Sequence, residues 1–199
     1  MKFVLASRNP GKLTELALTL KELGVEIVLQ SDLGLDVEVE ETGTTFAENA
    51  KLKAEAVCSA SGLPAIADDS GLCVDALGGA PGVYTARYGG EGLDDRGRYM
   101  LLLNSLRGQT NRSAHFCSAI ACAFPNGDLL EAEGECCGTI AFAPMGDQGF
   151  GYDPVFFVPE LRKTFAQVSR EEKAAISHRG KALRAFAAEL GEYLKKQEK

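Results

Sequence analysis

Two adjacent carboxylates, Asp68 and Asp69, follow directly on the apolar run Pro64–Ala67 and lead into Ser70 and Gly71. A carboxylate at the carboxyl end of a strand lies where open α/β sheets bind ligands. There it can hold a hard divalent cation or take a proton from water. Neighbouring residues of an extended backbone point to opposite faces, so one of the pair is expected to enter a site. The same four residues also suit an ordinary turn in which the aspartates bond to nearby backbone N–H groups. A second acidic group, Asp32, Asp36, Glu38, Glu40 and Glu41, lies in the Gly-containing loop before it. Mg²⁺ takes carboxylate oxygens and keeps several waters, so one glutamate here and one aspartate there would suffice, with substrate phosphates completing the shell. Between the two groups, Lys53 follows Glu48, Asn49 and Lys51, where it either balances this charge or faces solvent.

Three further stretches carry chemistry. Ser7–Leu16 (SRNPGKLTEL) sets Gly11 and Lys12 where a strand turns into a helix. A P-loop needs glycine at position 6 and Ser or Thr at position 13; Ala6 and Leu13 stand there, so this is not one. Backbone N–H groups at the helix start, with Ser7, Asn9 and Lys12, could bind an anion. Capping by Asn9 with Pro10 at the first helical position explains the residues about as well. Gly146–Phe157 (GDQGFGYDPVFF) joins a Gly-rich loop to Phe150, Tyr152 and Asp153. It reads as a stacking platform for a flat heterocycle or as a loop whose aromatics fill the core. Ser177–Gly180 (SHRG) supplies His178 and Arg179 as donors to oxygen acceptors.

The elements that must position these groups follow from periodicity. Lys2–Ala6 reads as a buried strand, and Leu13, Leu16, Ala17, Leu20 and Leu23 then recur at helical spacing until Gly24. Val25–Leu29 returns as a strand. A helix opens with the capping box Thr45-x-x-Glu48, shows Phe46, Ala50, Ala54 and Val57 on one face, and ends near Gly62. Pro64–Ala67 is a short strand. A helix from about Asp94 to Leu106 buries Tyr99, Leu102, Leu103 and Leu106. Arg112–Phe124 and Leu129–Phe142 flank Asn126-Gly127, a hairpin signal that makes part of the sheet antiparallel. The strand-helix-strand order at the start favours parallel pairing, so the sheet is expected to be mixed. Ser169–Lys199 reads as helical from the capping box Ser169-x-x-Glu172. One straight helix would aim Lys173, His178 and Arg179 apart, so a corner is expected at Ser177, which would cap a second helix.

A chain of 199 residues that is 45% hydrophobic can bury its own core, and one folding unit is expected. The net charge of −7 argues against a nucleic-acid-coating or membrane-surface protein. No apolar run approaches a membrane span, and Phe3–Ala6 is too short for a signal-peptide core, so a cytoplasmic location is expected. Cys58, Cys73, Cys117, Cys122, Cys136 and Cys137 show neither zinc-type spacing nor a disulfide framework, and buried thiols are expected.

Five stretches in this order, Ser7–Lys12, Glu40–Ala54, Pro64–Gly90, Gly149–Phe157 and Glu171–Leu183, resemble the inosine triphosphate pyrophosphatase family. The likeness is to its bacterial RdgB/HAM1 type, which acts on non-canonical purine nucleoside triphosphates, and it runs from Val4 to about Leu183. It implies an α/β fold: an elongated mixed β-sheet flanked by helices, two lobes and a central cleft, within a single domain over residues 1–199. It further implies a homodimer with Mg²⁺ as cofactor and a purine nucleoside triphosphate as partner, and neither nucleic acid nor membrane. ITP, dITP and XTP would be hydrolysed to the monophosphate and pyrophosphate, clearing deaminated purines from the nucleotide pool. Residue by residue, the resemblance makes Ser7, Arg8, Asn9, Pro10, Gly11 and Lys12 the triphosphate loop. Asp69 becomes general base and metal ligand, Glu40 the second metal carboxylate with Glu41 as the alternative, and Lys53 and Ser70 substrate contacts. Phe150, Gly151, Tyr152, Asp153, Lys173, His178 and Arg179 would bind the nucleotide and its base. The family loop often reads Thr-Gly-Asn, from which Ser7-Arg8-Asn9 departs most at Arg8.

Overall fold

The structure, a computed structural model, describes residues 1–197. Seven strands form one mixed sheet in the order β2-β1-β3-β4-β5-β6-β7. Strand β1 (Lys2–Leu5) pairs in parallel with β2 (Glu26–Leu29) and with β3 (Ala65–Val74). Strand β5 (Leu129–Ile140) pairs antiparallel with β6 (Phe156–Val158), and β6 with β7 (Lys163–Thr164). Strand β4 (Ser113–Ala123) and β5 flank the turn at Asn126-Gly127, where Gly127 takes φ 91°, a conformation glycine adopts without penalty. Mixed pairing is thus what the hairpin and the first strand-helix-strand unit dictate together.

The chain divides into two compact units: Met1–Asp69 with Ser118–Gly134 and Lys181 onward, and Ser70–Cys117 with Glu135–Gly180. Strands β3, β4 and β5 each pass from one unit into the other.

In the first unit β1 is buried on both faces, which is why it reads as a continuous apolar run. Phe3 and Leu5 pack with Leu16 of helix α1 (Pro10–Thr19), with Leu20 just beyond its end, and with Phe186 and Leu190 of helix α5 (His178–Gln197). Val4 faces the other way, against Ala50, Ala54 and Val57 of helix α2 (Phe46–Ser61). Alanines at those positions let α2 lie close to the sheet. In the second unit Leu72 and Val74 of β3 and Phe116 of β4 pack with Leu102 and Leu106, at and just beyond the end of helix α3 (Asp95–Ser105), and with Phe156 and Phe165.

Several expectations need correction. β3 does not stop at Ala67 but continues through Asp68, Asp69, Ser70 and Gly71 to Val74, so these residues are strand rather than turn. The strand tolerates two aspartates because each carboxylate meets a lysine. Ala17, placed by periodicity on the buried face of α1, is exposed. The short strands β6 and β7 carry no alternation long enough to read. Of the six cysteines only Cys58, Cys122 and Cys136 are buried; Cys73 and Cys117 are half-buried and Cys137 is exposed. The corner at Ser177 is present: helix α4 (Arg170–Ile176) ends there, Ser177 takes φ −66° and ψ 155°, and its Oγ accepts the Gly180 N–H at 3.1 Å. The last two residues of the expected helical stretch lie outside the described residues. No helix among the described residues is long and apolar enough to cross a membrane.

Candidate active site

The first unit gathers its polar side chains at β3. Alternation along the strand sends Asp68 and Asp69 to opposite faces, and each finds a different lysine. Lys12 of α1 lies 2.8 Å from the Asp68 carboxylate, which is almost wholly buried. Lys53 Nζ of α2 lies 3.4 Å from Asp69 Oδ1 and 2.8 Å from Glu41 Oε1, so one ammonium serves two carboxylates.

Asn49 stands one helical turn before Lys53, on the same face of α2. It is 0% exposed; its Nδ2 donates to Asp69 Oδ2 at 3.1 Å, and its Oδ1 accepts the Gly43 N–H at 2.9 Å. A Cβ at Gly43 would sit 2.6 Å from that Oδ1, so only glycine lets the loop approach α2 this closely. This contact, two residues after Glu41, holds the glutamate beside Lys53. Earlier in the loop, buried Gln30 bonds both backbone groups of Val37, at 3.2 and 3.4 Å. Arg8 bonds Asp36 and also Glu38, the latter at 3.0 Å. Glu40 is exposed and Glu41 half-buried, so of the two glutamates it is Glu41 that the structure ties to Asp69 through Lys53.

Burial raises the Asp69 pKa above the ordinary carboxyl value; the Lys53 charge opposes the rise and Glu41 adds to it. With two carboxylates on one ammonium, the group keeps a negative excess and oxygen donors, which suit a hard cation.

The Ser7–Lys12 loop is folded on itself. Ser7 Oγ accepts the Asn9 N–H at 3.1 Å, and Asn9 caps α1 by accepting the Gly11 N–H at 2.8 Å, with Pro10 in the first turn. The capping reading therefore holds, and it occupies the Gly11 N–H.

In the second unit the Gly149–Asp153 segment winds around one buried carboxylate. Asp153, 3% exposed, bonds the Lys173 ammonium of α4 and accepts the Phe150 N–H at 3.0 Å. A Cβ at Gly149 would lie 2.0 Å from Asp153 Oδ2, so glycine is required, and φ 80° there agrees. Gly151 N–H donates to Asp95 Oδ2 of α3 at 2.7 Å. Burial raises Asp153's pKa and Lys173 opposes it.

The two aromatics of this loop part company. Phe150 is 76% exposed, with Lys173 Nζ 4.7 Å from its ring centroid, whereas Tyr152 is 4% exposed and its hydroxyl donates to the Thr85 carbonyl at 2.9 Å. The platform expected of two rings is one ring, and Tyr152 fills the core. His178, at the start of α5, stacks on Phe116 at 4.7 Å and 13°, and Arg179 beside it is half-buried, as is Ser70 on β3. Asn49, which the sequence offers only as a neighbour of Lys53, and Asp68, one of a pair of which a single member was expected to enter a site, both take part here. The i, i+4 spacing of Asn49 and Lys53 is the signal for the first; for Asp68 it is the adjacent carboxylates after the apolar run, while its partner Lys12 is remote in sequence.

The Ham1 family profile matches residues 3–189. A dITP/XTP pyrophosphatase of Exiguobacterium is 49% identical over 195 residues, covering 98% of this chain and 100% of the relative. One from Thermus thermophilus is 53% identical, covering 94% and 90%. Among solved structures, a HAM1 protein from Coxiella burnetii superposes with TM-score 0.93 at 42% identity, covering 96% of this chain and 99% of its own. With a profile match over nearly its full length and relatives at about half identity, the chain belongs to the Ham1 family.

Proposed function

We propose that this protein hydrolyses non-canonical purine nucleoside triphosphates, dITP, XTP and ITP, to the monophosphate and pyrophosphate with Mg²⁺ as cofactor. The names of its relatives support the reading, and the observation that carries it is Asp69: a half-buried carboxylate held by Asn49 and sharing Lys53 with Glu41. The oxygen donors there fit Mg²⁺. Asp69 would hold it together with one glutamate of the acidic loop, Glu40 by the family likeness or Glu41 by its place at Lys53. Mg²⁺ bound there would neutralise phosphate oxygens and help pyrophosphate depart.

Asp69 orients a water and takes its proton as the water's oxygen attacks the α-phosphorus; the bond to the β-phosphoryl oxygen breaks. Lys12 offers its ammonium to phosphate oxygens, and Asp68 fixes where that ammonium stands. Lys53 favours the ionised form of Asp69 by its charge, against the effect of burial. For the base, Phe150 offers an exposed ring face, and His178 and Arg179 offer donors. Such donors pair with the 6-oxo group of inosine or xanthosine and are left unpaired by the 6-amino group of adenosine. A site built on such contacts discriminates by up to about 10⁴–10⁵.

A panel of ITP, dITP, XTP, GTP and ATP, assayed with and without Mg²⁺ for pyrophosphate and for inorganic phosphate, tests the reading. Pyrophosphate from the first three, dependent on Mg²⁺, is expected. Direct release of inorganic phosphate would assign cleavage to the β–γ bond and overturn it.

A further inference from the structure

The second unit carries a cluster that nucleotide hydrolysis does not use. Leu72 and Val74 of β3, Ala114 and Phe116 of β4, and Cys136 of β5 point into the core of that unit. Strand alternation therefore sends Cys73, His115 and Cys117 to the opposite face, where all three are half-buried. β3 and β4 are neighbours in the sheet, and His115 and Cys117, two apart on β4, share a face. One ligand atom from each of Cys73, His115 and Cys117 lies within 4.8 Å of the other two. Asp75, just past β3, stands 3.9 Å from His115 Nδ1. A carboxylate facing one ring nitrogen is how ligating histidines are commonly oriented.

We propose that Cys73, His115 and Cys117 form a binding site for a thiophilic divalent cation of the Zn²⁺ class, with water in the fourth position. Two sulfurs and an imidazole nitrogen match the preference of Zn²⁺, whereas Mg²⁺ requires oxygen. Zn–S bonds of about 2.3 Å and Zn–N bonds of about 2.0 Å put tetrahedral ligands roughly 3.5–3.8 Å apart. Closing from at most 4.8 Å to that spacing needs side-chain movement of no more than about an ångström, with the strands left in place. The histidine decides between a metal and a simple thiol pair: a disulfide would need only the two sulfurs, whereas the imidazole completes three ligands. The three side chains come from two adjacent strands, so the bound ion would staple β3 to β4. Their half-exposure leaves the fourth position open to water.

The test uses the reduced full chain, stripped of metal, with Co²⁺ as a spectroscopic probe. One Co²⁺ per chain is expected, with a near-ultraviolet sulfur-to-cobalt charge-transfer band and the visible bands of a tetrahedral ion, both removed by one equivalent of Zn²⁺. Cys73→Ser, Cys117→Ser and His115→Ala should each lose the band or weaken binding at least about tenfold, and Asp75→Asn should weaken it about 10–100-fold. Cys58→Ser and Cys137→Ser should leave it unchanged. As a readout that needs no variant, Zn²⁺ should protect Cys73 and Cys117 of the unmodified chain from alkylation, mapped by mass spectrometry. Absence of the band, its persistence in the Cys73→Ser/Cys117→Ser double variant, or alkylation at both thiols indifferent to Zn²⁺ would overturn the site.

Discussion

Asp69 and Asp153 make an instructive pair, one in each compact unit, the first half-buried and the second buried, each facing a lysine from a helix, and each with its pKa raised by desolvation. Asp153 is, among the described residues, the carboxylate paired with Lys173; it takes the Phe150 N–H as well and has Gly149 packed against it. Its charge is matched one to one, and its side chain is 4% exposed. Asp69 shares Lys53 with Glu41, takes a neutral amide from Asn49, and keeps 15% of its side chain accessible. A matched buried pair closes a structure; an unmatched one leaves charge with which to hold a cation or accept a proton. Two carboxylates shifted in the same direction therefore serve different ends, and the number of carboxylates that share each lysine decides which.

The widest separation between them is expected in turnover. Asp69→Asn should lower kcat about 10²–10⁴-fold, the usual contribution of a positioned general base, with the fold retained. Asp153→Asn should cost far less per folded molecule, and equal losses measured by pyrophosphate release would erase the contrast. Stability should reverse the order. Lys173→Ala strands a buried carboxylate and should cost about 3–5 kcal/mol in urea unfolding. Lys53→Ala should cost about 1–2 kcal/mol, because Asp69 keeps the Asn49 amide and access to water. A larger loss from Lys53→Ala would make Asp69 the structural member of the pair.

The smallest effect is in pH dependence, and it sharpens the electrostatic side. Because burial raises the Asp69 pKa in the metal-free protein, removing the opposing Lys53 charge should move it higher, read from the carboxyl titration of Asp69 without Mg²⁺. A downward move in Lys53→Ala would contradict the assigned cause. For stability the sign is opposite to that of an ordinary salt-bridged aspartate. A carboxyl raised in the folded state contributes stability fully below its unfolded pKa, and that contribution is lost as pH climbs through the folded value. Both aspartates should therefore make the urea midpoint fall as pH rises through the mildly acidic range.

Much of the framework was legible because its signals are local. The capping boxes Thr45–Glu48 and Ser169–Glu172 sit where two helices begin, and Asn9 caps a third. The corner at Ser177 followed from helical angles alone, and the Asn126-Gly127 turn announced an antiparallel strand pair. The misreadings share a cause. β3 runs through Asp68–Gly71 only because Lys12 and Lys53 arrive from helices elsewhere in the chain to meet its carboxylates. Phe150 and Tyr152 differ by two positions in a loop, and only the Asp153 clamp decides that one faces water and the other the Thr85 carbonyl. Cys73 is separated from His115 and Cys117 by a helix and two loops, so their meeting is invisible until β3 and β4 are laid side by side. What the amino-acid order settled by itself was the set of elements, their caps and the residue types able to do chemistry, since periodicity and capping act within a few residues. Which carboxylate is matched, which glutamate reaches Asp69 and which thiols meet a histidine were decided by tertiary structure, because pairing energies act through space between groups the chain holds far apart.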